Sequence, residues 1–155
     1  MGYYNIYSFR LCTLGLAEKE AAVSNVFFDA NKPPKGFEKR ETPFLKKAAK
    51  QLEEYFNGKR MAFDLPLALN GTAFRVKVWA ALQTIPYGET RSYGEIAALI
   101  NNPKASRAVG MANHFNPISI IVPCHRVVGH NGSLTGYAGG LELKKNLLEL
   151  EKKYK

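Results

Sequence analysis

Two helix-start signals close together in the C-terminal half constrain the fold of this chain most tightly. Ser92 followed by Glu95 is a capping box, in which each side chain hydrogen-bonds the backbone of the other residue. Asn102 followed by Pro103 is a second start, because the missing N–H of proline costs nothing at the first helical position. The two signals predict a helix-turn-helix, with the second helix running to about Phe115.

The second of these helices is built mostly from small side chains, with Arg107 as its one long cation. Its small residues are Ala105, Ser106, Ala108, Gly110 and Ala112. Small residues let a helix backbone approach another surface closely, which fits tight helix–helix packing or docking in a nucleic-acid groove. Charge favours the groove, since Lys and Arg number 22 against 13 Asp and Glu, and no carboxylate occurs between Glu95 and Glu142.

The N-terminal part of the chain predicts a small sheet. Residues 3–11 and 22–28 are rich in aromatic and β-branched side chains, which are typical of strands. Gly15 is expected in the turn region between the two strands.

A helix and a connector follow that sheet. Thr42, with proline after it, starts a helix whose apolar residues recur at helical spacing until Asn57 and the glycine that follows. Residues 64–71 have the composition of a connector. We therefore expect an N-terminal α/β domain at 1–69 and a C-terminal domain at 70–155.

A group of reactive side chains ends the apolar run at residues 116–123, which itself predicts a short buried strand. Pro123 is followed by a thiol, an imidazole and a guanidinium, on Cys124, His125 and Arg126. Neighbours on an extended strand face opposite sides, so thiol and imidazole can cooperate only if the chain turns at the proline. Two cationic neighbours, with no carboxylate nearby in sequence, predict a low-pKa thiolate nucleophile.

Three segments in this half resemble one known family. "IVPCHRVV", preceded by "VWAALQTIPYGETRSYGEIAALINNPKASRAVGMANHFNPIS" and followed by "GYAGGLELKKNLLELE", is similar in order and spacing to the alkylguanine-DNA alkyltransferases, the methylated-DNA–protein-cysteine methyltransferases. The resemblance covers residues 72–151 densely and 42–70 more loosely. It implies an α+β fold, in which a ribonuclease H-like sheet-plus-helix domain precedes a winged helix-turn-helix DNA-binding domain.

The resemblance also implies a reaction. The alkyl group of 6-O-alkylguanine, and of 4-O-alkylthymine, in double-stranded DNA passes directly and irreversibly to Cys124, once per chain. His125 activates the thiol through a water, and Glu151 orients the imidazole. Tyr93 donates a proton or a hydrogen bond to a ring nitrogen of the leaving guanine.

The other residues implied by the resemblance bind the DNA and the base. Arg107 enters the base stack where the target nucleotide has flipped out, and Ala105 and Ser106 let the second helix lie in the minor groove, with Tyr93 at the head of the first helix. Asn116 ties the helix pair to the active-site strand. The alkylguanine pocket is formed by Val127, Tyr137, Ala138 and Gly139. Some family members have serine at the Ala138 position, so only a backbone contact is expected there.

The two cysteines indicate the redox compartment of the protein and whether it has a zinc motif. Cys12 and Cys124 lie far apart and form neither a disulfide framework nor a zinc motif. We therefore expect a reduced, intracellular protein without metal or cofactor. No apolar run approaches the roughly 20 residues that span a bilayer, so no membrane partner is expected. The resemblance adds a cytoplasmic monomer, associated with the nucleoid when it binds DNA, or nuclear in a eukaryote.

Three other functions fit these residues less well than alkyl transfer. A non-catalytic binder of alkylated bases would not need Cys124. A winged-helix transcription regulator would need polar, base-reading side chains on its second helix, which this helix lacks. A cysteine hydrolase would need a dyad, and the adjacent residues Cys124 and His125 form a poor one.

Overall fold

The chain divides between Leu69 and Asn70 into two structural units. A computed structural model describes every residue, Met1–Lys155, and its two units are Met1–Leu69 and Asn70–Lys155. The first unit is a sheet with one helix, and the second is mainly helical, so the α+β class is confirmed. No helix in the chain is both long and apolar enough to cross a membrane.

Four strands form the sheet of the N-terminal unit. They are β1 (Gly2–Ser8), β2 (Thr13–Lys19), β3 (Ala22–Phe27) and β4 (Glu38–Lys39), in the spatial order β3-β2-β1-β4. β2 pairs antiparallel with both of its neighbours, and β4 runs parallel to β1. The two predicted strands are confirmed, although the first ends at Ser8 and one strand lies between them.

The expected turn at Gly15 is wrong. Gly15 lies inside β2 opposite Phe27, and a Cβ atom there would fall 2.1 Å from the phenylalanine ring. The glycine thus makes room for a ring on the neighbouring strand. The turn lies instead at Glu20 and Ala21, whose φ angles of 54° and 58° fit a two-residue hairpin of type I′.

Helix α1 (Pro43–Phe56) packs against β1 and β2, and both of its predicted ends are confirmed. Thr42 caps the first turn by accepting a hydrogen bond from the Leu45 N–H. Gly58, at φ 74°, takes the left-handed conformation that ends the helix. The buried face of the helix consists of Leu45, Ala48, Ala49, Leu52, Tyr55 and Phe56.

The C-terminal unit has four helices and two very short strands. They are α2 (Ala73–Leu82), β5 (Arg91–Ser92), α3 (Tyr93–Leu99), α4 (Ser106–His114), β6 (Val127–Val128) and α5 (Leu141–Tyr154). The predicted capping box at the start of α3 is present, with both of its hydrogen bonds. Buried Trp79 of α2 donates its indole N–H to the Ala112 carbonyl of α4 at 2.8 Å, which ties the two helices together.

The second helix of the pair starts later than predicted. α4 begins at Ser106, and its N-cap, Ala105, makes no side-chain cap bond. The reason lies in the end of α3, where Asn101 is left-handed at φ 60° and the Asn102 N–H reaches back to the Ala97 carbonyl at 2.9 Å. Asn102 therefore closes the first helix and cannot open the second.

Residues 116–123 do not form the predicted strand. The segment is buried, but it closes on itself, because the Val122 N–H bonds the Ile118 carbonyl at 2.9 Å and Ile120 has a φ of 73°. An isolated bridge pairs Ser119 with Val122 inside the same turn. An apolar run with no neighbouring strand to pair with has become a buried loop.

Candidate active site

The loop at 116–123 delivers Cys124 into a single helical turn. Asn116 holds the loop by donating its side-chain Nδ2 to the Val122 carbonyl at 2.9 Å and by accepting the Ile118 N–H through Oδ1 at 3.0 Å. Pro123 follows, and Cys124–Arg126 form a 3-10 turn. The expected change of direction at Pro123 is therefore confirmed.

A buried carboxylate in α5 joins the imidazole and the guanidinium. His125 Nε2 lies 2.7 Å from Glu151 Oε2, and neither side chain is exposed to solvent. Arg126 donates to both oxygens of Glu151, at 2.8 and 3.0 Å, and to the Ile85 carbonyl at 2.8 Å. The Gly88 N–H adds a weaker bond at 3.3 Å, so four donor groups converge on one carboxylate.

These contacts determine which of the groups carries a charge. Burial alone would raise the pKa of Glu151, but the hydrogen bond with His125 and the ion pair with Arg126 hold that pKa well below its usual range. Burial lowers the pKa of His125, although Glu151 acts in the opposite direction. At neutral pH the cluster thus contains an ionised carboxylate, a guanidinium and a neutral imidazole.

The neutral imidazole has a defined tautomer. A carboxylate only accepts hydrogen bonds, so His125 must carry its proton on Nε2 in order to donate to Glu151. Nδ1 is then the basic nitrogen, and it is buried with no hydrogen bond to any protein group. The pair therefore presents an oriented general base on the side of the ring away from Glu151.

The Cys124 thiol does not have the depressed pKa expected from its neighbours in sequence. Burial raises its pKa, while a hydrogen bond with Asn116 and the charge of Lys144 act more weakly in the opposite direction. The expectation failed because burial outweighs the neighbouring charges: it keeps His125 uncharged, and Glu151, distant in sequence, neutralises Arg126. The resting group is a neutral thiol, which must lose its proton during the reaction.

Lys144 is a buried cation that the sequence reasoning missed. It is 1% exposed, and its Nζ donates to the Val127 carbonyl at 2.6 Å and to the Thr135 carbonyl at 3.1 Å. Burial lowers its pKa, whereas the nearby Cys124 raises it. The signal was its place on the apolar face of the last helix, beside Leu143 and Leu147.

A cavity of about 360 Å³ opens onto the thiol. Its lining residues are Tyr93, Gly110, Asn113, His114, Cys124, Gly136, Tyr137 and Ala138. The volume is in the range of small-ligand sites, and no carboxylate lines the cavity. The structure thus brings together Cys124, Tyr93, Tyr137 and Ala138 from the expected site. The Tyr93 hydroxyl lies 2.5 Å from Thr135 Oγ1, and the Tyr137 ring packs edge-on against His125 at 6.4 Å.

Other expected site residues lie outside the cavity lining. Val127 is fully buried, with its carbonyl bonded to Lys144, and Gly139 lies in the loop before α5. Arg107 is exposed on the first turn of α4 and makes no ion pair, and Ala105 and Ser106 lie beside it. Across the whole chain, no group of three or more His, Cys, Asp or Glu side chains is placed to hold a metal ion.

Two family models match nearly the whole chain. The model described as 6-O-methylguanine DNA methyltransferase, ribonuclease-like domain, matches residues 2–69. The model described as 6-O-methylguanine DNA methyltransferase, DNA binding domain, matches residues 73–153, which include every residue of the cavity.

Individual relatives and solved structures agree with these matches. The chain is 52% identical to the methylated-DNA–protein-cysteine methyltransferase of Methanosarcina acetivorans, over 96% of this chain and 97% of that one. It is 48% identical to the constitutive enzyme of that name from Bacillus subtilis, over 98% and 96%. The crystal structure of Mycobacterium tuberculosis O6-methylguanine methyltransferase superposes with a TM-score of 0.91 at 46% identity, covering 100% of this chain and 95% of that one. A structure of the Mycobacterium tuberculosis protein in complex with DNA gives a TM-score of 0.91 at 47% identity, covering 98% and 94%.

Proposed function

The chain belongs to the 6-O-methylguanine DNA methyltransferase family, and we propose that it repairs DNA by transferring the alkyl group of 6-O-alkylguanine to Sγ of Cys124. The observation that carries this assignment is the cavity that opens onto the thiol of Cys124, the residue before His125, whose imidazole is held by buried Glu151. Cys12, the other cysteine, has no such partners, and burial raises its pKa to about 11.

Activation of the thiol is the first step. Nδ1 of His125 takes the Cys124 proton, directly or through one water, since its lone pair is free while Nε2 donates to Glu151. The imidazolium that forms is stabilised by the carboxylate, which already lies within hydrogen-bond distance. Lys144, a cation close enough to Cys124 for each to shift the pKa of the other, supports the negative charge that appears on sulfur.

Transfer of the alkyl group follows. The sulfur lone pair forms a bond to the alkyl carbon, and the bond from that carbon to O6 breaks, leaving its electron pair on the guanine. The charge that guanine gains is neutralised when the base takes up one proton at a ring nitrogen, and His125 releases the proton that it took from Cys124. Tyr93, which lines the cavity, donates its hydroxyl hydrogen to a ring nitrogen of the base and stabilises this charge as it develops.

The base reaches the cavity by leaving the DNA duplex. Helix α4 supplies cavity residues from its second half, while its first turn carries exposed Arg107 next to the small residues Ala105 and Ser106. Small side chains suit close approach to a minor groove, and an exposed arginine without an ion-pair partner can enter the stack that the flipped nucleotide vacates. In this proposal Asn116 keeps α4 and the turn at Cys124 in a fixed relation.

The product explains why the reaction occurs once per chain. A thioether has no carbonyl for water to attack and no good leaving group, and the unit that holds Cys124 contains no other cysteine. The protein is therefore consumed by its substrate, and we propose that it acts as a monomer. We place it in the compartment that holds the DNA, and we include 4-O-alkylthymine in its substrate range.

A peptide-mapping experiment tests this function. The protein is incubated with a duplex that contains one 6-O-methylguanine, and the intact mass and the tryptic peptides are then measured. We expect the mass to rise by one methylene, with the label on Cys124 and none in Cys124→Ser. A label on Cys12 would contradict the proposal.

A further inference from the structure

A side chain with no assigned role lies in the cavity wall. Asn113 is in the last turn of α4, and it lines the same cavity as Cys124 and Tyr93. Both Oδ1 and Nδ2 of its amide are buried, and neither hydrogen-bonds any group of the protein. Buried polar groups in folded proteins are rarely left without a partner, so this amide needs an explanation.

The fold alone does not explain it. Asn116, three residues later, is an asparagine buried for structural reasons, and both ends of its amide are bonded to the backbone. Asn113 does not cap α4, because the helix ends at Phe115 through backbone bonds to the Met111 and Asn113 carbonyls. An unbonded amide on a residue of the cavity wall is free to turn towards a ligand that enters the cavity.

We propose that Asn113 is a specificity residue that hydrogen-bonds the 2-amino edge of the flipped base. This inference rests on the proposed function. A carboxamide presents one donor and one acceptor side by side. In 6-O-alkylguanine the 2-amino donor lies beside ring nitrogens that are acceptors, because alkylation at O6 leaves N1 without a proton. Nδ2 can donate to such a ring nitrogen while Oδ1 accepts from the amino group.

Other alkylated bases lack this pair of an amino donor beside a ring-nitrogen acceptor. 4-O-alkylthymine presents two acceptors and no donor at the corresponding edge, and 6-O-alkylhypoxanthine keeps the ring nitrogens but has no amino group. Each leaves Oδ1 of Asn113 buried and unpaired, and a site built to bond a group discriminates strongly against an analogue that lacks it. Asn113 therefore favours alkylguanine over both alternatives.

The test compares three substrates in each variant. Single-turnover transfer rates are measured for duplexes with 6-O-methylguanine, 6-O-methylhypoxanthine or 4-O-methylthymine, using wild type, Asn113→Leu and Asn31→Ala, an exposed control in the other unit. In wild type and control we expect removal of the 2-amino group to slow transfer by about tenfold or more. In Asn113→Leu the transfer rates from 6-O-methylguanine and 6-O-methylhypoxanthine should become similar. The transfer rate from 4-O-methylthymine should rise relative to that from 6-O-methylguanine.

Ratios within one variant do not depend on how much of the protein is folded. The same guanine-to-hypoxanthine ratio in wild type and Asn113→Leu would overturn the inference while leaving alkyl transfer intact. Failure of wild type to transfer from any of the three substrates would instead overturn the proposed function, and the inference with it.

Discussion

His125 Nε2 and Glu151 Oε2 lie 2.7 Å apart in a part of the protein that solvent does not reach. The same carboxylate pairs with Arg126, so one side chain of the last helix determines both the tautomer of the imidazole and the placement of the guanidinium. The relationship links catalysis to folding, because a change at Glu151 affects both.

Replacing Glu151 by glutamine should therefore reduce stability and activity together. The variant leaves the Arg126 guanidinium buried without its counter-ion, and breaking such a pair typically costs about 3–5 kcal/mol. The free energy of unfolding from urea titration measures the first effect, and single-turnover transfer measures the second. Glu149→Gln, on an exposed position of the same helix, is the matched control and should change neither. Full stability in Glu151→Gln would contradict the buried ion pair.

Stability should fall as the pH is lowered from 7.5 through 6.5 towards 5. The pKa of His125 is lower in the folded protein than in the unfolded chain, so the unfolded chain takes up a proton first as the pH falls. The free energy of unfolding therefore decreases across that window. Glu151 has the same sign at lower pH, because its stabilisation is present above the unfolded carboxyl pKa and is lost as pH falls towards its depressed folded value.

Urea titrations at several pH values measure that slope. The other two histidines, His114 and His130, are exposed, so a His114→Gln, His130→Gln double variant should keep the wild-type slope between pH 7.5 and 5. Loss of the slope in the double variant would show that the slope comes from His114 or His130 and not from His125.

The Cys124 thiol should react slowly with a small alkylating reagent at neutral pH. Because burial raises its pKa, only a small fraction is thiolate, and the rate should climb about tenfold per pH unit up to and beyond pH 8.5. Iodoacetamide labelling in a Cys12→Ser background reports on this thiol alone, with the unfolded protein as the reference. A labelling rate that is constant between pH 6 and 8 would contradict the raised pKa and would support the low-pKa thiolate predicted from the sequence.

Arg107 should matter for duplex DNA and not for the chemistry. It is exposed on the first turn of α4 and lines no part of the cavity. We expect Arg107→Ala to slow repair of alkylated duplex by roughly tenfold or more, because flipping costs a few kcal/mol of unstacking and an inserted side chain offsets part of that cost. Reaction with free 6-O-methylguanine should be unchanged, and Arg10→Ala should match wild type on both substrates. Equal slowing on both substrates would show that Arg107 does not act specifically on the flipped base in duplex DNA.

Local signals in the sequence predicted several elements of the fold correctly. Thr42 before a proline and the capping box of Ser92 and Glu95 act within a few residues, so their outcome does not depend on the rest of the fold. Gly15 was misplaced because a glycine that admits a neighbouring ring looks the same in sequence as a glycine in a turn. Asn102 was misplaced because it was needed by the preceding helix.

The site shows the same division between local and distant information. The turn after Pro123 could be predicted from adjacent residues. The pKa of the Cys124 thiol depends first on its burial and then on Asn116 and Lys144, none of which could be placed from its neighbours in sequence. Asn113 gave no signal at all, since an asparagine in a helix becomes informative only when its amide is seen to be buried and unbonded.

The stoichiometry of repair tests the central claim, that Cys124 itself accepts the alkyl group, most directly. Known amounts of protein are mixed with an excess of duplex that contains 6-O-methylguanine, and the restored guanine is counted over time. We predict a burst that equals one guanine per protein chain and no further product, because the thioether on Cys124 offers neither a leaving group nor a second acceptor. Repair that continues well beyond one equivalent would contradict the account.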